Sequence, residues 1–267
     1  MKNNNMKGPR INSNIFSLKK YCSVITGAAQ GLGKYLAMAL ATYGSDIVIV
    51  DVDLILAEKT AEEIKKKNVE AMVCKMDVRD EKQIKEMVDR TLNKFGKIDV
   101  LINNAGIVKN FDAENMSYID WEEVIDINLN GVFKVSQTVG KEMIKKNRGS
   151  IINISSMSGI IVNTPQNQIA YNVSKAGVIM LTKSLAAEWA KYNIRVNTIA
   201  PGYINIGMSS ERLASDIDWA KKITSLTPMG RPGEPEEFGG IAVYLASSAS
   251  SYSTGGVFTI DGGYTVW

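Results

Sequence analysis

A tyrosine and a lysine lie four residues apart in this chain, at Tyr171 and Lys175, in a stretch rich in Ala and Leu that predicts a helix over 169–192. At that spacing the two side chains share one face of the helix. Oxidation of a secondary alcohol needs a base for the hydroxyl proton, but a free tyrosine, with a pKa of about 10, stays protonated near neutral pH. A neighbouring ammonium lowers that pKa, so the pair indicates proton transfer at an alcohol or ketone. Taken alone, Tyr171 is equally well interpreted as a buried structural tyrosine.

Three further polar residues accompany this pair. Ser155 and Ser156 end a predicted strand over 150–155, and Asn128 lies in a long helical stretch over 117–146. A serine hydroxyl at such a place can hold a substrate oxygen, although a turn at the end of a strand is the alternative. The chain contains no histidine, which excludes Ser-His-Asp hydrolases and metal sites that require imidazole. Proton chemistry then falls to Tyr, Lys, Ser or carboxylates.

A glycine-rich turn follows the first predicted strand and opens a helix over 31–44. The free N–H groups and the dipole at the start of a helix favour a pyrophosphate, and glycines let a ligand approach the backbone closely. The alternative is a tight turn that binds nothing. The residues of this loop that we expect to contact a dinucleotide are Gly27, Gln30, Gly31, Leu32 and Gly33.

An aspartate, Asp51, ends the second predicted strand. An acid at this place accepts hydrogen bonds from the adenosine ribose hydroxyls and repels a 2′-phosphate. Because neither Val52 nor Gln30 is basic, we predict that the cofactor is NAD rather than NADP. The alternative role for Asp51, a cap for the next helix, suits Asp53 better.

Strand and helix patterns alternate along the chain. The predicted strands are near-continuous apolar runs, which indicates a parallel sheet covered on both faces, and they span 21–26, 46–51, 70–78, 98–104, 150–155, 194–200 and 256–260. The predicted helices span 31–44, 54–67, 80–95, 117–146, 169–192 and 234–248. We therefore predict one doubly wound α/β domain of Rossmann type over 16–267, with ligands at the carboxyl ends of the strands. We expect 1–15 to be a mobile tail and 204–228, irregular and partly helical, to cover the substrate.

The composition is that of an ordinary globular protein of 267 residues, with 45% hydrophobic residues, 22% charged residues and a net charge of +3. This charge is too small to indicate nucleic-acid binding. No apolar run reaches the length of a membrane helix or a secretory signal, so we expect a cytoplasmic protein. With two cysteines and no CxxC spacing we predict no metal site.

Taken together, these motifs resemble those of the short-chain dehydrogenase/reductase family, from about Phe16 to Trp267. The resemblance implies a seven-stranded parallel sheet in the order 3-2-1-4-5-6-7 with helices on both faces. The motifs that carry it are TGAAQGLG from Thr26, NNAG from Asn103, Asn128 in INLNG, the Ser155-Ser156 pair, YNVSK from Tyr171, PGYI from Pro201, and Asp261-Gly262-Gly263.

The resemblance also implies a role for each matching residue. Tyr171 is the general base or acid, Lys175 lowers its pKa and binds the nicotinamide ribose, and Ser156 holds the substrate oxygen. Asn128 anchors a water in a proton relay. The further cofactor contacts implied are Asp77, Val78, Asn104, Ala105, Gly106, Pro201, Gly202 and Ile204.

Two departures from the family pattern stand out. Ile206 occupies the place of a threonine that meets the nicotinamide phosphate or amide, which puts the cofactor affinity in question. The step from Ser156 to Tyr171 is about two residues longer than the commonest family spacing, so the loop between them must bulge.

The loop before Tyr171 is similar to that of the polyol and sugar-alcohol dehydrogenases of the family and of its sorbose reductases. A polyol needs hydrogen-bond partners for many hydroxyls. The substrate-binding residues that we predict are Ser156, Ser158, Asn163, Gln166 and Tyr171. A plain hydrophilic surface loop is the alternative.

Two other functions stay open. One is a 3-oxoacyl-carrier-protein reductase, against which Asp51 argues because that reaction usually uses NADPH. A basic patch for its carrier protein would come from Lys141, Lys145, Lys146 and Arg148. The other is a non-catalytic nucleotide-binding scaffold, against which the full Asn-Ser-Tyr-Lys set argues.

We further predict a homotetramer, because the two long helices carry more apolar residues than one face of a sheet can cover. Those residues are Val132, Phe133, Val135, Val139, Val178, Ile179, Leu181 and Leu185. We expect Trp267, which would otherwise expose a large apolar surface, to pack against a neighbouring subunit near its substrate entrance. The alternative is a tail folded back on its own subunit.

Overall fold

The computed structural model describes residues 13–267, apart from the side chains of Ser13 and Met208. Its centre is a seven-stranded sheet, parallel throughout, in the order 3-2-1-4-5-6-7. The predicted fold class and strand order are therefore confirmed. The strands are β1 (Cys22–Thr26), β2 (Asp46–Asp51), β3 (Ala71–Lys75), β4 (Val100–Asn103), β5 (Gly149–Ile154), β6 (Ile194–Pro201) and β7 (Val257–Ile260).

Helices cover both faces of this sheet. They are α1 (Gly31–Thr42), α2 (Leu54–Lys65), α3 (Glu81–Phe95), α4 (Tyr118–Ile125), α5 (Gly131–Lys146), α6 (Ile169–Trp189), α7 (Gly207–Ser215), α8 (Ile217–Leu226) and α9 (Gly239–Ala246). Along β2, Ile47 and Ile49 pack with α1, α2 and α9, whereas Val48 and Val50 pack with α3, α5 and α6. Because both faces are covered, a strand has no solvent side, which explains its continuous apolar sequence.

The long helical stretch predicted over 117–146 is divided in the structure. A π-helical turn, Asp126–Asn130, separates α4 from α5. A π-turn widens the helix by one residue and has no sequence signature, which is why the pattern suggested one helix. The predicted helix over 234–248 likewise begins as a 3-10 turn, Pro235–Phe238, ahead of α9.

Much of the apolar surface predicted to join subunits is buried inside the subunit instead. Val135, Val139 and Val178 are completely buried, and Val132 and Leu185 are nearly so. Val135, Val139 and Leu185 belong to the apolar core on one side of the sheet, which takes up those faces of α5 and α6. The prediction is therefore wrong for these five residues, whereas Phe133 is 43% exposed.

The structure describes all of the predicted lid, apart from one side chain, but only the last three residues of the predicted tail. Residues Ser13–Phe16 form a 3-10 turn, and the Ile15 carbonyl accepts a hydrogen bond from the Ser248 hydroxyl at 2.9 Å. The rest of the predicted tail, 1–12, lies outside the described residues. The predicted lid, 204–228, contains α7 and α8. Within residues 13–267, no helix combines the length and the apolar character needed to cross a membrane.

Candidate active site

A cavity of about 410 Å³ opens at the carboxyl ends of β4, β5 and β6. Ser156, Tyr171 and Lys175 all line it, so the structure brings together three of the four residues that the sequence suggested for catalysis, and Asn128 does not line the cavity itself. Ser156 follows the end of β5, and Tyr171 and Lys175 lie on α6. This arrangement is expected at the carboxyl edge of a doubly wound sheet.

The lysine of the pair is buried and well anchored. Lys175 Nζ donates a hydrogen bond to the Ile154 carbonyl at 2.8 Å and lies 5.5 Å from the centroid of the Tyr171 ring. Burial disfavours the charged ammonium and lowers the pKa of Lys175 to about 8. The side chain therefore titrates close to the pH range in which a dehydrogenase works.

The tyrosine behaves differently from the sequence expectation. Burial raises the pKa of Tyr171 above its ordinary value, and the contact that opposes this rise is a hydrogen bond with the Ser156 side chain rather than the charge on Lys175. Burial makes both the phenolate and the ammonium costly, and in the protein by itself it outweighs the lowering expected from Lys175. Tyr171 is thus a protonated phenol, which is the form that donates a proton. The role of Lys175 when the cofactor is bound stays a prediction.

The two neighbouring serines have separate tasks. The Ser155 hydroxyl donates to the Ile199 carbonyl at 3.1 Å and accepts from the Thr198 hydroxyl at 2.8 Å, so it ties β5 to β6. The Ser156 hydroxyl accepts from the Ser158 backbone N–H at 3.1 Å and faces Tyr171. Ser155 therefore joins two strands, whereas Ser156 bonds toward Tyr171, and the predicted contact of Ser156 with the substrate oxygen stays a prediction.

A glycine allows the Ser156 turn to approach α6. An ideal Cβ on Gly159 would lie 2.6 Å from the Lys175 carbonyl carbon, closer than real atoms come. The 3-10 turn Met157–Gly159 can therefore rest on the helix beside Lys175 only because residue 159 has no side chain. This contact fixes Ser156 against the Tyr171–Lys175 pair.

Asn128 lies in the π-turn and is completely buried. Its amide oxygen accepts from the Ile107 N–H at 2.8 Å, and its amide nitrogen donates to the Ile107 carbonyl at 2.8 Å and to the Ser174 hydroxyl at 3.2 Å. An ideal Cβ on Gly106 would lie 3.1 Å from the Asn128 amide oxygen and 3.5 Å from Lys175 Nζ. Asn128 thus joins the segment after β4 to α6 next to the lysine, and its predicted water-relay role stays a prediction.

The glycine-rich turn is braced by the segment that follows β4. The Thr26 hydroxyl accepts from the backbone N–H groups of Asn104 and Ala105 at 3.0 and 3.1 Å. The Asn104 side chain in turn donates to the Thr26 and Gly27 carbonyls at 3.1 and 2.9 Å. An ideal Cβ on Gly33 would lie 2.2 Å from the Gly27 carbonyl oxygen, so this turn can close only around glycine.

Asp51 is held beside that turn by two backbone N–H groups. One of its oxygens accepts from Ala29 at 2.9 Å, and the other accepts from Asp53 at 3.1 Å. Asp53 itself caps α2 by accepting from the Leu56 N–H at 3.0 Å, as the sequence indicated. Lys34, in the first turn of α1, is paired with Glu63 at 2.7 Å.

At the end of β3, Asp77 forms a two-pronged ion pair with Arg79, whose guanidinium holds the pKa of that carboxyl below its usual range. The following residue, Val78, is buried. An ideal Cβ on Gly131 would lie 2.7 Å from a methyl carbon of Val78, so α5 packs closely at this point.

These features fit a nicotinamide dinucleotide. The turn at Gly33 is a cradle that a Cβ would fill, Asp51 offers oriented carboxylate oxygens, and Leu32, Asn104, Pro201 and Gly202 line the cavity. Bound there, the dinucleotide would supply the hydride acceptor or donor, and its oxidised nicotinamide ring would add positive charge near the phenol. Ile204 also lines the cavity, and Ile206 packs against the apolar core rather than offering a hydroxyl.

The predicted substrate residues lie along the cavity but are bonded to one another. The Ser158 hydroxyl donates to the Asn163 amide oxygen at 2.8 Å, and the amide nitrogens of Asn163 and Gln166 both donate to the Tyr203 hydroxyl at 2.8 Å. The Gln166 amide oxygen accepts from the Trp219 indole at 3.2 Å. Both amide oxygens are therefore occupied, and each amide nitrogen keeps one N–H for a substrate.

Three aromatic residues, Tyr203, Trp219 and Tyr264, pack together behind these side chains. None of them was predicted as a site residue from the sequence. The Tyr203 ring meets those of Trp219 and Tyr264 edge to face, each at a centroid distance of 5.5 Å. The Tyr264 hydroxyl donates to the Thr164 carbonyl at 3.1 Å. Burial raises the pKa of Tyr203 to about 12, so its hydroxyl stays neutral. The PGYI motif pointed to the neighbours of Tyr203, but nothing in the sequence showed which distant residues it contacts.

The last residue contacts its own subunit. The Trp267 indole N–H donates to the Leu226 carbonyl, at the end of α8, at 3.1 Å, while the ring remains 84% exposed. The exposed ring leaves a surface available to a neighbour, and the predicted contact with a second subunit stays a prediction.

Comparison with known proteins agrees with this geometry. The family described as Enoyl-(Acyl carrier protein) reductase matches residues 27–265. A solved short-chain type dehydrogenase/reductase from Mycobacterium marinum is 37% identical, with a TM-score of 0.90 over 94% of this chain and 98% of its own. The chain belongs to the short-chain dehydrogenase/reductase family.

Two relatives within the family bear on its chemistry. The NADH-dependent L-xylulose reductase of Ambrosiozyma monospora is 40% identical over 94% of this chain and 97% of its own length. The 3-oxoacyl-[acyl-carrier-protein] reductase of Thermotoga maritima is 44% identical over 92% and 98%. As a member of this family, the protein is an oxidoreductase that acts on CH–OH groups and uses a nicotinamide cofactor.

Proposed function

We propose that the protein interconverts a polyol and a ketose with NAD(H). The observation that carries the proposal is the meeting of Ser156, Tyr171 and Lys175 in a cavity where one part of the wall carries the amides of Asn163 and Gln166, beside apolar residues elsewhere in the lining. The amides offer hydrogen-bond partners to a substrate with several hydroxyl groups, which a plain acyl chain would not use. The similarity to a xylulose reductase supports the same substrate class.

In the reductive direction, the Ser156 hydroxyl donates a hydrogen bond to the ketone oxygen and the Tyr171 phenol gives that oxygen its proton. Lys175, anchored to the Ile154 carbonyl, is positioned to stabilise the phenolate that forms. In the oxidative direction, the same phenolate accepts the proton of the alcohol. Burial raises the pKa of Tyr171, so in the protein by itself the phenol is in the protonated form that the reductive step uses.

NAD rather than NADP follows from the charges beside the glycine-rich turn. The Asp51 carboxylate is fixed by the Ala29 N–H and would repel a 2′-phosphate. Lys34 is already paired with Glu63, and Arg79 is paired with Asp77. The relatives include an NADH-dependent and an NADP-dependent enzyme, so this part of the proposal rests on Asp51.

A carrier-protein reductase is the second candidate, favoured by the 44% identity to the Thermotoga maritima enzyme. The basic patch suggested for a carrier protein argues against it. Its three lysines lie in the last turns of α5 and Arg148 lies between α5 and β5, so the patch is at the amino edge of the sheet, opposite the cavity. Within the patch, Lys145 is paired with Glu142 at 2.6 Å, and Arg148 stacks on Tyr21 at 4.8 Å.

We also propose a homotetramer. Tyr118 and Ile119 on α4 are 72% and 78% exposed, and Val173 and Met180 on α6 are 46% and 62% exposed. These side chains and Phe133 are large apolar residues left exposed on α4, α5 and α6, and a second copy of the chain would cover them. Light scattering at micromolar concentration tests the assembly, and a monomer would contradict it.

The proposed function is tested by a turnover screen. We expect NADH oxidation, followed by absorbance, with ketoses such as L-xylulose, L-sorbose and fructose, and slower oxidation of NADPH. A preference for acetoacetyl thioesters would favour the carrier-protein reductase. No turnover of any of these compounds, with NADH still bound, would favour a nucleotide-binding scaffold.

A further inference from the structure

The charges around the cavity are all of one sign. Among the residues that the structure describes along its wall, Lys175 and Arg212 are the charged ones, and no carboxylate is present. Lys175 is buried beneath Tyr171 and anchored to the Ile154 carbonyl. Arg212, on α7, has no part in the reaction at Tyr171, and a neutral polyol would not need it.

The guanidinium of Arg212 is held in place by an aromatic ring. Its central carbon lies 4.6 Å from the centroid of the Trp219 ring. That ring is itself buried, bonded to Gln166 and packed against Tyr203. A guanidinium stacked on an aromatic face keeps its N–H groups directed outward in the plane, where they can bind two oxygens of one anion.

Arg212 has a carboxylate neighbour, but the two are loosely joined. The shortest distance, from Arg212 Nε to an Asp216 carboxylate oxygen, is 3.5 Å, which is longer than a charge-assisted hydrogen bond. The other oxygen of Asp216 caps α8 by accepting from the Trp219 N–H at 3.0 Å. Within residues 13–267, the terminal amino groups of Arg212 form no hydrogen bond of their own, so they are free to bind a ligand in the cavity.

We propose that Arg212 binds an anionic group of the substrate, and that the preferred substrate is a polyol or ketose bearing a carboxylate or phosphate. The inference rests on the proposed function, since it specifies the substrate of the same site. A carboxylate or phosphate accepts the two parallel N–H bonds that a guanidinium offers. The substrate is then held at the reacting carbon by Ser156 and Tyr171 and at its charged end by Arg212.

Binding to the complex with NADH tests the inference without turnover. Sorbitol, gluconate and sorbitol 6-phosphate are titrated by calorimetry into the wild type, Arg212→Met, and Lys221→Met, which removes a cation from the exposed face of the same lid. We expect the wild type and Lys221→Met to bind at least one of the two anions about tenfold more tightly than sorbitol. Arg212→Met should bind all three equally weakly, and Arg212→Lys should recover part of the preference. Equal binding of the three ligands by the wild type, or a preference that survives in Arg212→Met, would overturn the inference.

A phosphate of the dinucleotide is the other anion that Arg212 could meet. NADH affinity is therefore measured for the same variants without substrate. We expect it to be unchanged in Arg212→Met, and a loss as large as that for the anionic ligand would overturn the inference. Turnover separates this result from the proposed function. Fast reduction of neutral ketoses without any anion preference would support the proposed function and contradict the inference. Tight, Arg212-dependent binding of the anions without reduction of any ketose would support the anion site and contradict the proposed function.

Discussion

The two ends of the site are built in different ways. At the cofactor end, the Thr26 hydroxyl and the Asn104 amide bond to backbone groups and so join β1 to β4, and Gly33 leaves no space for a side chain. At the substrate end, side chains hold side chains. The Tyr203 hydroxyl accepts hydrogen bonds from the Asn163 and Gln166 amides, and the Trp219 indole, on α8, donates one to Gln166.

This difference predicts how each end responds to change. A backbone turn with no free volume cannot take an added side chain without strain, so substitutions there should weaken cofactor binding. At the substrate end the side chains bond to one another and not to the reacting groups, so substitutions there should change substrate affinity and leave the chemical step intact. Tyr171 lies between the two ends. Its substitution should slow the reaction and leave the affinities for cofactor and substrate unchanged.

The largest effect is expected at Tyr171. Tyr171→Phe removes the hydroxyl that carries the proton, and loss of a general acid or base typically costs about a hundredfold to ten-thousandfold in rate. NADH affinity, measured by fluorescence titration, should stay at the wild-type value because the cofactor turn is untouched. Retention of more than about a tenth of the wild-type kcat would contradict the assigned role.

The cofactor end is tested by Gly33→Ala. The new methyl group would lie 2.2 Å from the Gly27 carbonyl oxygen and 2.4 Å from the Asn104 amide nitrogen. Such overpacking costs about 1–3 kcal/mol and should weaken NADH binding correspondingly. Gly240→Ala is the control, because nothing lies within 4 Å of a Cβ at that position. Equal NADH affinity in both variants would show that the turn is looser than described.

Lys175 should make the stability of the fold depend on pH. Its pKa is about 8 in the folded protein and 10.5 in the unfolded chain, so between these values the unfolded state holds more protons and stability rises with pH. Below pH 8 both states are protonated, and the folded state bears the full cost of burying the charge.

Urea denaturation measures this dependence. Between pH 7 and pH 9.5 the free energy of unfolding of the wild type should rise by about 2 kcal/mol relative to Lys175→Met. Lys183→Met, at an exposed position of the same helix, should follow the wild type. If the free energy of unfolding depended on pH in the same way for the wild type and Lys175→Met, the pKa of Lys175 would not be lowered by burial.

A smaller effect is expected for the preference between NADH and NADPH. In the wild type we expect kcat/KM to be at least about tenfold higher with NADH than with NADPH, equivalent to about 1.4 kcal/mol. Asp51→Ala removes the repulsion of a 2′-phosphate and the ribose hydrogen bonds, so it should narrow that ratio. Faster turnover of NADPH by the wild type would show that Asp51 has another task.

The smallest effect is expected at the substrate end. Tyr203→Phe removes the hydroxyl that accepts from Asn163 and Gln166, and we expect KM for the ketose to rise about fivefold while kcat changes little. Tyr264→Phe removes a single bond to the Thr164 carbonyl and should change KM less. A large fall in kcat for Tyr203→Phe would mean that the network positions Tyr171 as well.

The same contrast explains what could be predicted from the sequence. The strands, the glycine-rich turn and the Tyr171–Lys175 spacing are local patterns. The structure contains all seven predicted strands, although β3 ends at Lys75 rather than at 78, and it places both side chains on one cavity. The Tyr203 network joins residues about 40 positions apart, and no local pattern reports such contacts. The π-turn at Asn128 was missed for the related reason that one added residue leaves the apolar pattern of a helix almost unchanged.

The raised pKa of Tyr171 illustrates a second limit. The sequence gives the distance along the helix between Tyr171 and Lys175, but it does not give the burial of either group. In the folded protein, burial raises the pKa of the phenol and lowers that of the ammonium. The interaction predicted from spacing alone was therefore outweighed by desolvation.

The central claim, hydride transfer to a ketose with the proton supplied by Tyr171, is tested most directly by isotope transfer. NADH deuterated at both positions of the nicotinamide C4 is incubated with the ketose of highest kcat/KM, and the polyol product is analysed by mass spectrometry for the wild type and Tyr171→Phe. The account predicts one deuterium on the carbinol carbon of the wild-type product and almost no product from the variant. Unlabelled polyol, or labelled polyol formed by Tyr171→Phe at the wild-type rate, would contradict it.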